Sequence, residues 1–322
     1  MNKFRLYFVL LASSAIFFSC QKEDDPVVVP LRDYATQYAT DNAAIEDFLK
    51  TNFLTQVIID GQPDITFTKI PTPNTENKIS VWDNTIYPRK EIIVKNDDRN
   101  SNLVGGRKAD DVPYKLYYLE IRQGSGQSPI ATDSTFTSYR GTNLSNVEFD
   151  SSNIPFWSTY PSLSQFDVTL ISGYRQFTKL LKTASTAPVQ NPDGTISYGN
   201  IGIGVVFIPS GLGYFNVSRT GIPSYSPLIF RIGLHAIQKR DHDRDGILSV
   251  NEDLNGNGDL YDDDTDADSI PNFLDTDDDN DLYLTKTERI KTKEPLVYYD
   301  FNDIPICAGG NNLKRHLDKK CY

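Results

Sequence analysis

Acidic and amide residues alternate with other residues in four successive sets between residues 241 and 288. In the first, Asp241, Asp243 and Asp245 are followed by Gly246, by Ile247 at position seven and by Glu252 at position twelve. This satisfies the pattern D-x-[DN]-x-[DN]-G-x5-E. Side-chain oxygens at positions one, three, five and twelve, with the Ile247 carbonyl, can wrap one hard cation, and the glycine makes the sharp turn. Asp253, Asn255, Asn257 and Gly258 repeat the theme and close at Asp264. Asp264, Asp266 and Asp268 continue to Asp275. Asp277, Asp279 and Asp281 then reach Glu288, with Leu282 where glycine is expected. One set could be a solvated acidic linker. Four in succession predict structural calcium.

The charge distribution sharpens that reading. The 322-residue chain carries a net charge of −11, yet residues 241–288 hold 17 acidic and two basic residues, a local charge of −15. The rest is close to neutral at +4. No basic stripe favours nucleic acid. With 39% hydrophobic residues, 18 Tyr and 17 Phe, there is enough apolar material for a core, which excludes wholesale disorder. Three cysteines are too few for a disulfide-built scaffold.

The N-terminus reads as an export signal over residues 1–19. Lys3 and Arg5 precede the apolar run Leu6–Phe18, which is short for a membrane span. The run ends in Ser19-Cys20, which resembles a bacterial lipoprotein processing site with Cys20 as the lipidated residue. The following Gln21-Lys22-Glu23-Asp24-Asp25 resembles the tag that carries some lipoproteins of the Bacteroidetes to the cell surface. These resemblances imply an outer-membrane lipoprotein held by its lipid anchor. Cys307 and Cys321 then remain as a pair, suited to a disulfide that staples a core-poor tail.

Between these ends the chain must supply positioning elements. Residues 33–52 read as a helix with Ala44, Ile45, Phe48 and Leu49 on one face and Asn42 as candidate N-cap. From Phe53 to Asp110 the pattern is irregular, with short β-prone pieces at Gln56–Ile59 and Glu91–Val94, and residues 20–110 are read as a lipidated linker with an accessory region. Strands are expected over Tyr114–Arg122, Thr135–Tyr139, Gly204–Ile208 and Leu228–Ile237. A short helix is expected over Gly173–Leu181, where Tyr174, Phe177, Leu180 and Leu181 recur at helical spacing. Many strands and one central helix predict an α+β domain over residues 111–240.

The motifs in this region resemble those of FKBP-type peptidyl-prolyl isomerases from about Tyr114 to Gln238. Tyr139-Arg140-Gly141 is similar to the family's Tyr-x-Gly, and Phe149-Asp150-Ser151-Ser152 to its Phe-Asp-Ser-Ser run. Leu170-Ile171-Ser172-Gly173-Tyr174 resembles the Val-Ile-x-Gly-Trp that opens the helix. Ile208-Pro209 to Tyr214, and Ile222-Pro223 to Leu228-Ile229-Phe230, resemble the closing segments. The resemblance implies an antiparallel sheet wrapped around a short helix and isomerase activity on proline-containing proteins, with no cofactor for catalysis. It implies a pocket of Tyr139, Phe149, Leu170, Ile171, Tyr174, Ile222 and Phe230, with Asp150 and Tyr214 at the rim and Phe156 or Trp157 as a further wall. Tyr174 stands where the family usually has Trp, and Phe215 where it has Gly. Insertions at Ser158–Gln165 and Ala184–Gly199 are expected to enlarge loops around the site.

The acidic sets, over residues 241–295, resemble thrombospondin type-3-like calcium repeats, and residues 296–322 form the stapled tail. The leading expectation is an isomerase acting on envelope or surface proteins. The alternative is a calcium-dependent surface binding or assembly lipoprotein that uses the same pocket without turnover.

Overall fold

The computed structural model describes residues 30–59, 61–97, 110–162, 164 and 166–321. The expected signal, Cys20 and the charged tag lie outside the described residues.

Helix α1 (Tyr34–Thr51) begins at Asp33, whose carboxylate accepts the Thr36 N–H at 2.8 Å. Asn42, the expected cap, lies inside the helix and donates to Glu46. The helix starts earlier because its first turns have buried polar work: Asp41 accepts both the backbone N–H and the hydroxyl of Ser210 at 2.7 and 2.6 Å. Ile45, Phe48 and Leu49 form the buried stripe, while Ala44 is exposed. The hairpin β1 (Asn52–Ile59) and β2 (Gln62–Lys69) follows directly.

The main sheet contains β3 (Lys90–Val94), β4 (Tyr114–Arg122), β5 (Ser134–Asn143) and β6 (Glu148–Ser158). After α2 (Ser172–Thr178) come the short ribbon β7 (Val189–Gln190) and β8 (Ile196–Ser197), then β9 (Gly202–Ile208) and β10 (Leu228–Gln238). The order is β3-β4-β9-β10-β5-β6, antiparallel at every pairing.

Side chains alternate across strands, so neighbouring residues serve opposite faces. Leu116, Val206, Ile208, Leu228, Phe230, Ile232 and Leu234 face α2, which contributes Tyr174 and Phe177. Tyr117, Leu119, Val205, Phe207 and Ile229 face the other way, onto Ile45, Phe48 and Leu49 of α1 and Ile65 of β2. Each such burial is worth about 1.5–3 kcal/mol.

The stretch read as an accessory region therefore covers the second face of the sheet, and β3 is one of its edge strands. Strands β4 and β9 are apolar at both parities, and a sheet buried on both faces needs two covering layers. Asp64 of β2 fixes the cover in place. It is buried beside Arg140 at 2.8 Å and Arg231 at 3.8 Å, and the two guanidinium groups also donate to the Ile65 and Pro63 carbonyls.

The acidic segment winds through single turns at Ser249–Glu252, Leu260–Asp262 and Asn272–Leu274, then the four-residue α3 (Thr285–Glu288). Leu260, Tyr261 and Phe273 form its small core. The hairpin β11 (Ile290–Lys293) and β12 (Leu296–Tyr298) leads to the tail, where Cys307 and Cys321 are disulfide-bonded. No helix among the described residues is long and apolar enough to cross a membrane.

Candidate functional site

Phe230 of β10 is the centre of an aromatic cluster. Its ring lies 5.5 Å from Phe149, 5.5 Å from Tyr174 and 5.8 Å from Tyr139, the first two edge to face. Such pairs place ring edges against ring faces, as the aromatic quadrupole favours. Gly141 permits this approach: a Cβ there would meet the Phe149 ring at 2.5 Å and the Phe230 ring at 3.0 Å.

All nine residues expected to form the pocket line one cleft of about 400 Å³: Tyr139, Phe149, Asp150, Leu170, Ile171, Tyr174, Tyr214, Ile222 and Phe230. They come from β5, β6, the entry to α2, the turn after β9, and β10. Thr169, Arg219 and Thr220 also line it. No motif flagged these three. The Arg219 guanidinium sits 5.5 Å from the Tyr214 ring, a contact between two loop residues that no periodicity announces.

Tyr174 forms the floor at 1% exposure and donates its hydroxyl to Thr137 at 3.0 Å. Burial pushes this phenol above its ordinary range. At the rim Tyr139 donates to Asp150 at 2.5 Å, and burial, then that carboxylate, raises the Tyr139 phenol as well. Neither Phe156 nor Trp157 lines the cleft: Phe156 packs edge to face behind Tyr139 at 5.7 Å, and Trp157 packs against Phe136. Neither insertion contributes a described lining residue. Residues 189–197 instead form the exposed β7–β8 ribbon.

Phe215, the residue after Tyr214, has φ +47°. Its ring is turned into the protein, stacked on Tyr34 and edge to face with Tyr225. The cleft thus combines an apolar floor with a polar rim, an arrangement able to hold a small hydrophobic ring and strip water from the adjoining amide.

The acidic loops share one backbone geometry. At positions four and six all four are left-handed: Arg244 and Gly246, Gly256 and Gly258, Ala267 and Ser269, Asn280 and Leu282, with φ from 53° to 94°. The position-six N–H donates to the position-one carboxylate in every loop, at 2.9–3.2 Å: Gly246 to Asp241, Gly258 to Asp253, Ser269 to Asp264 and Leu282 to Asp277. The position-seven N–H donates to position five at 2.6–2.8 Å, including Ile247 to Asp245 and Asp259 to Asn257.

Three loops gather their own carboxylates, with ligand oxygens mutually within 4.8 Å: Asp241, Asp243 and Asp245; Asp264, Asp266 and Asp268; and Asp277, Asp279 and Asp281. Asp264 therefore belongs to the third loop. Asp263 is the residue that turns toward the second, accepting the Asn255 N–H and side-chain amide at 3.3 and 3.1 Å. The second loop steps by eleven residues to the next, so Asp264 is already committed to opening its own turn. Asn255 and Asn257 also donate to Asp262. Sequence reasoning missed Asp263 and Asp278, because neither falls on a ligand position of its own loop.

Many of these carboxylates are buried without a donor. Both oxygens of Glu252, Asp278, Asp279 and Glu288, and one each of Asp243, Asp245, Asp253, Asp263, Asp266 and Asp281, have no hydrogen-bond partner. Burial, then neighbouring carboxylates, pushes Glu252 and Asp278 well up. Burial, then Asp279 and Asp281, lifts Glu288 to about 9. Burial also raises Asp275, with the Asp268 and Asp266 charges adding to it. Buried, unpaired and mutually repelling oxygens are the donor set a hard divalent cation takes.

Residues 242–314 match the family model for the BamM C-terminal region. That match runs through the acidic loops and into the tail as one stretch. No curated protein matches the chain. Among solved structures the chain is similar to FkpA from Escherichia coli, with 24% identity over 38% of this chain and 48% of that one and a TM-score of 0.29. It thus spans about half the length of that protein. A peptidyl-prolyl cis-trans isomerase from Pseudomonas syringae pv. tomato has 22% identity over 38% of this chain and 76% of its own, with a TM-score of 0.30. The N-terminal domain of FKBP42 from Arabidopsis thaliana has 14% identity over 41% and 97%, with a TM-score of 0.30.

Proposed function

We propose that the aromatic cleft is a peptidyl-prolyl cis-trans isomerase site acting on exported proteins. The observation that carries this reading is the convergence of five separated motifs on one cleft with an apolar floor and a single polar edge. Rotation about a peptide bond is opposed by about 18–20 kcal/mol of C–N double-bond character. X-Pro bonds populate both isomers, so catalysis needs no nucleophile, only preference for the twisted amide. Phe230, Tyr174 and Ile222 take the prolyl ring and exclude water from its amide. The Ile171 N–H, which meets no acceptor among the described residues, anchors a substrate carbonyl. Asp150, held by Tyr139, faces the amide as it loses resonance.

The test is cis-to-trans isomerisation of an X-Pro peptide by the purified protein, with and without a pocket-blocking macrolide. Acceleration that the macrolide abolishes supports catalysis. A folded protein that binds the peptide but gives no rate above solvent supports the binding-module alternative.

We further infer that the four acidic loops hold structural calcium. The support is the repeated backbone geometry together with buried carboxylate oxygens that lack donors. Asp241, Asp243, Asp245 and Glu252 hold one ion, Asp253, Asn255 and Asn257 a second, and the sets at Asp264 and Asp277 the others, with Asp275 and Glu288 closing the last two. Cation binding then supplies much of the folding free energy of a segment with a three-residue core. Lipidation at Cys20 and an outer-membrane location complete the proposal, tested by mass spectrometry of the mature N-terminus. An unacylated Cys20 would remove the anchor and leave the cleft argument intact.

A further inference from the structure

Asp278 occupies position two of the fourth loop, between the ligand positions Asp277 and Asp279. Its carboxylate does not join its own loop's set. It lies with Asp243 and Glu252 of the first loop, ligand oxygens mutually within 4.8 Å, although 35 residues separate it from Asp243. Glu252 is 3% exposed and Asp278 1% exposed, and neither oxygen of either carboxylate has a hydrogen-bond donor. The nearby guanidinium does not satisfy them: Arg289 donates to the Asp245 and Tyr299 carbonyls. Three carboxylates converge here from two loops, Glu252 and Asp278 buried and Asp243 half-buried, and only Asp243 has an oxygen with a donor, the Asp245 N–H. Burying carboxylates this way is unfavourable unless a cation lies among them.

We propose that Asp278 is a ligand of the divalent cation held by the first loop, so that one ion clasps the first loop to the fourth. The proposal rests on the calcium reading above and adds to it a ligand contributed by a different loop. With Asp241, Asp243, Asp245 and Glu252 it gives the site five carboxylates, and a higher ligand charge makes a calcium site tighter. The clasp makes the segment cooperative. The first and last loops close together, and α3, with the Arg289 that follows it, is fixed against the first loop through its contact with Asp245.

The test is calcium titration of the purified, chelator-stripped full chain by calorimetry, with Asp278→Asn, Asp243→Asn, Asp279→Asn and the double variants. Asp278→Asn should weaken one site by at least about tenfold, the same site that Asp243→Asn weakens. Combining the two should cost less than the sum of their separate effects. Asp279→Asn should weaken a different ion, the one held by its own set with Asp277 and Asp281. In chelator, Asp278→Asn should melt no lower than the unaltered protein, because the carboxyl it replaces is buried with no partner but a cation. Calcium binding unchanged by Asp278→Asn, full additivity with Asp243→Asn, or a lower melting point in chelator would each overturn the clasp alone. An unaltered protein that binds no calcium would overturn the calcium reading, and the clasp with it.

Discussion

The Tyr34 ring at the start of α1 stacks on Phe215, with centroids 4.0 Å apart and planes 13° from parallel. This contact joins the N-terminal helix to the turn that carries Tyr214 into the cleft. Phe215 holds a left-handed backbone that ordinarily favours glycine, at a cost of about 1–2 kcal/mol. Stacking on Tyr34 and packing against Tyr225 offset that cost. Tyr34→Ala should therefore destabilise the protein by about 1 kcal/mol and speed amide exchange over residues 213–225. Unchanged exchange there would mean that the turn holds its shape without α1.

Leu282 provides the opposite case. It has φ +79° at position six of the fourth loop, and its side chain is 87% exposed. With the side chain in solvent, no burial offsets the strain. Leu282→Gly should stabilise the segment by about 1 kcal/mol, read as a higher melting midpoint or tighter calcium binding. A loss of stability would show that the leucine makes a contact worth more than its backbone costs.

The acidic segment without calcium should weaken as pH rises. Glu288 is lifted to about 9 from its ordinary 4.5, and Glu252 and Asp278 are raised too. A carboxyl whose folded pKa exceeds its unfolded value binds protons better when folded. Its contribution is whole below the unfolded pKa and is lost as pH climbs through the folded one. In chelator, amide protection over 241–288 should thus decline between about pH 4.5 and 9. With saturating calcium the dependence should reverse, since ligands must be deprotonated to bind. Equal protection at pH 5 and 8.5 in chelator would contradict this.

In the cleft, Phe230→Ala should lower kcat/KM at least tenfold, about 1.4 kcal/mol of transition-state stabilisation. It should also cost about 3–5 kcal/mol of stability, so folding must be checked alongside. Tyr139→Phe is the gentler probe. It keeps the ring, frees Asp150 and should reduce the rate several-fold while stability moves by about 1 kcal/mol. Normal rates in both variants would place the reaction elsewhere.

Much of this was legible in the chain alone. A period-two run marks β10, an aromatic and aliphatic run marks β4, and 3-4 spacing marks α1 and α2, because local geometry fixes which side chains share a face. The alternating acidic residues specify four loops directly, since each turn is built from hydrogen bonds within about seven residues. Other features needed the fold. That α1 and β1–β2 cover the second face of the sheet depends on how strands 90 residues apart pair, which propensity does not encode. Arg219 reaches Tyr214 only because their loop folds back on itself. Asp278 meets Asp243 and Glu252 only when the fourth loop closes on the first. Sequence spacing reveals contacts between near neighbours along the chain, whereas contacts across the chain are set by the packing that brings its distant parts together.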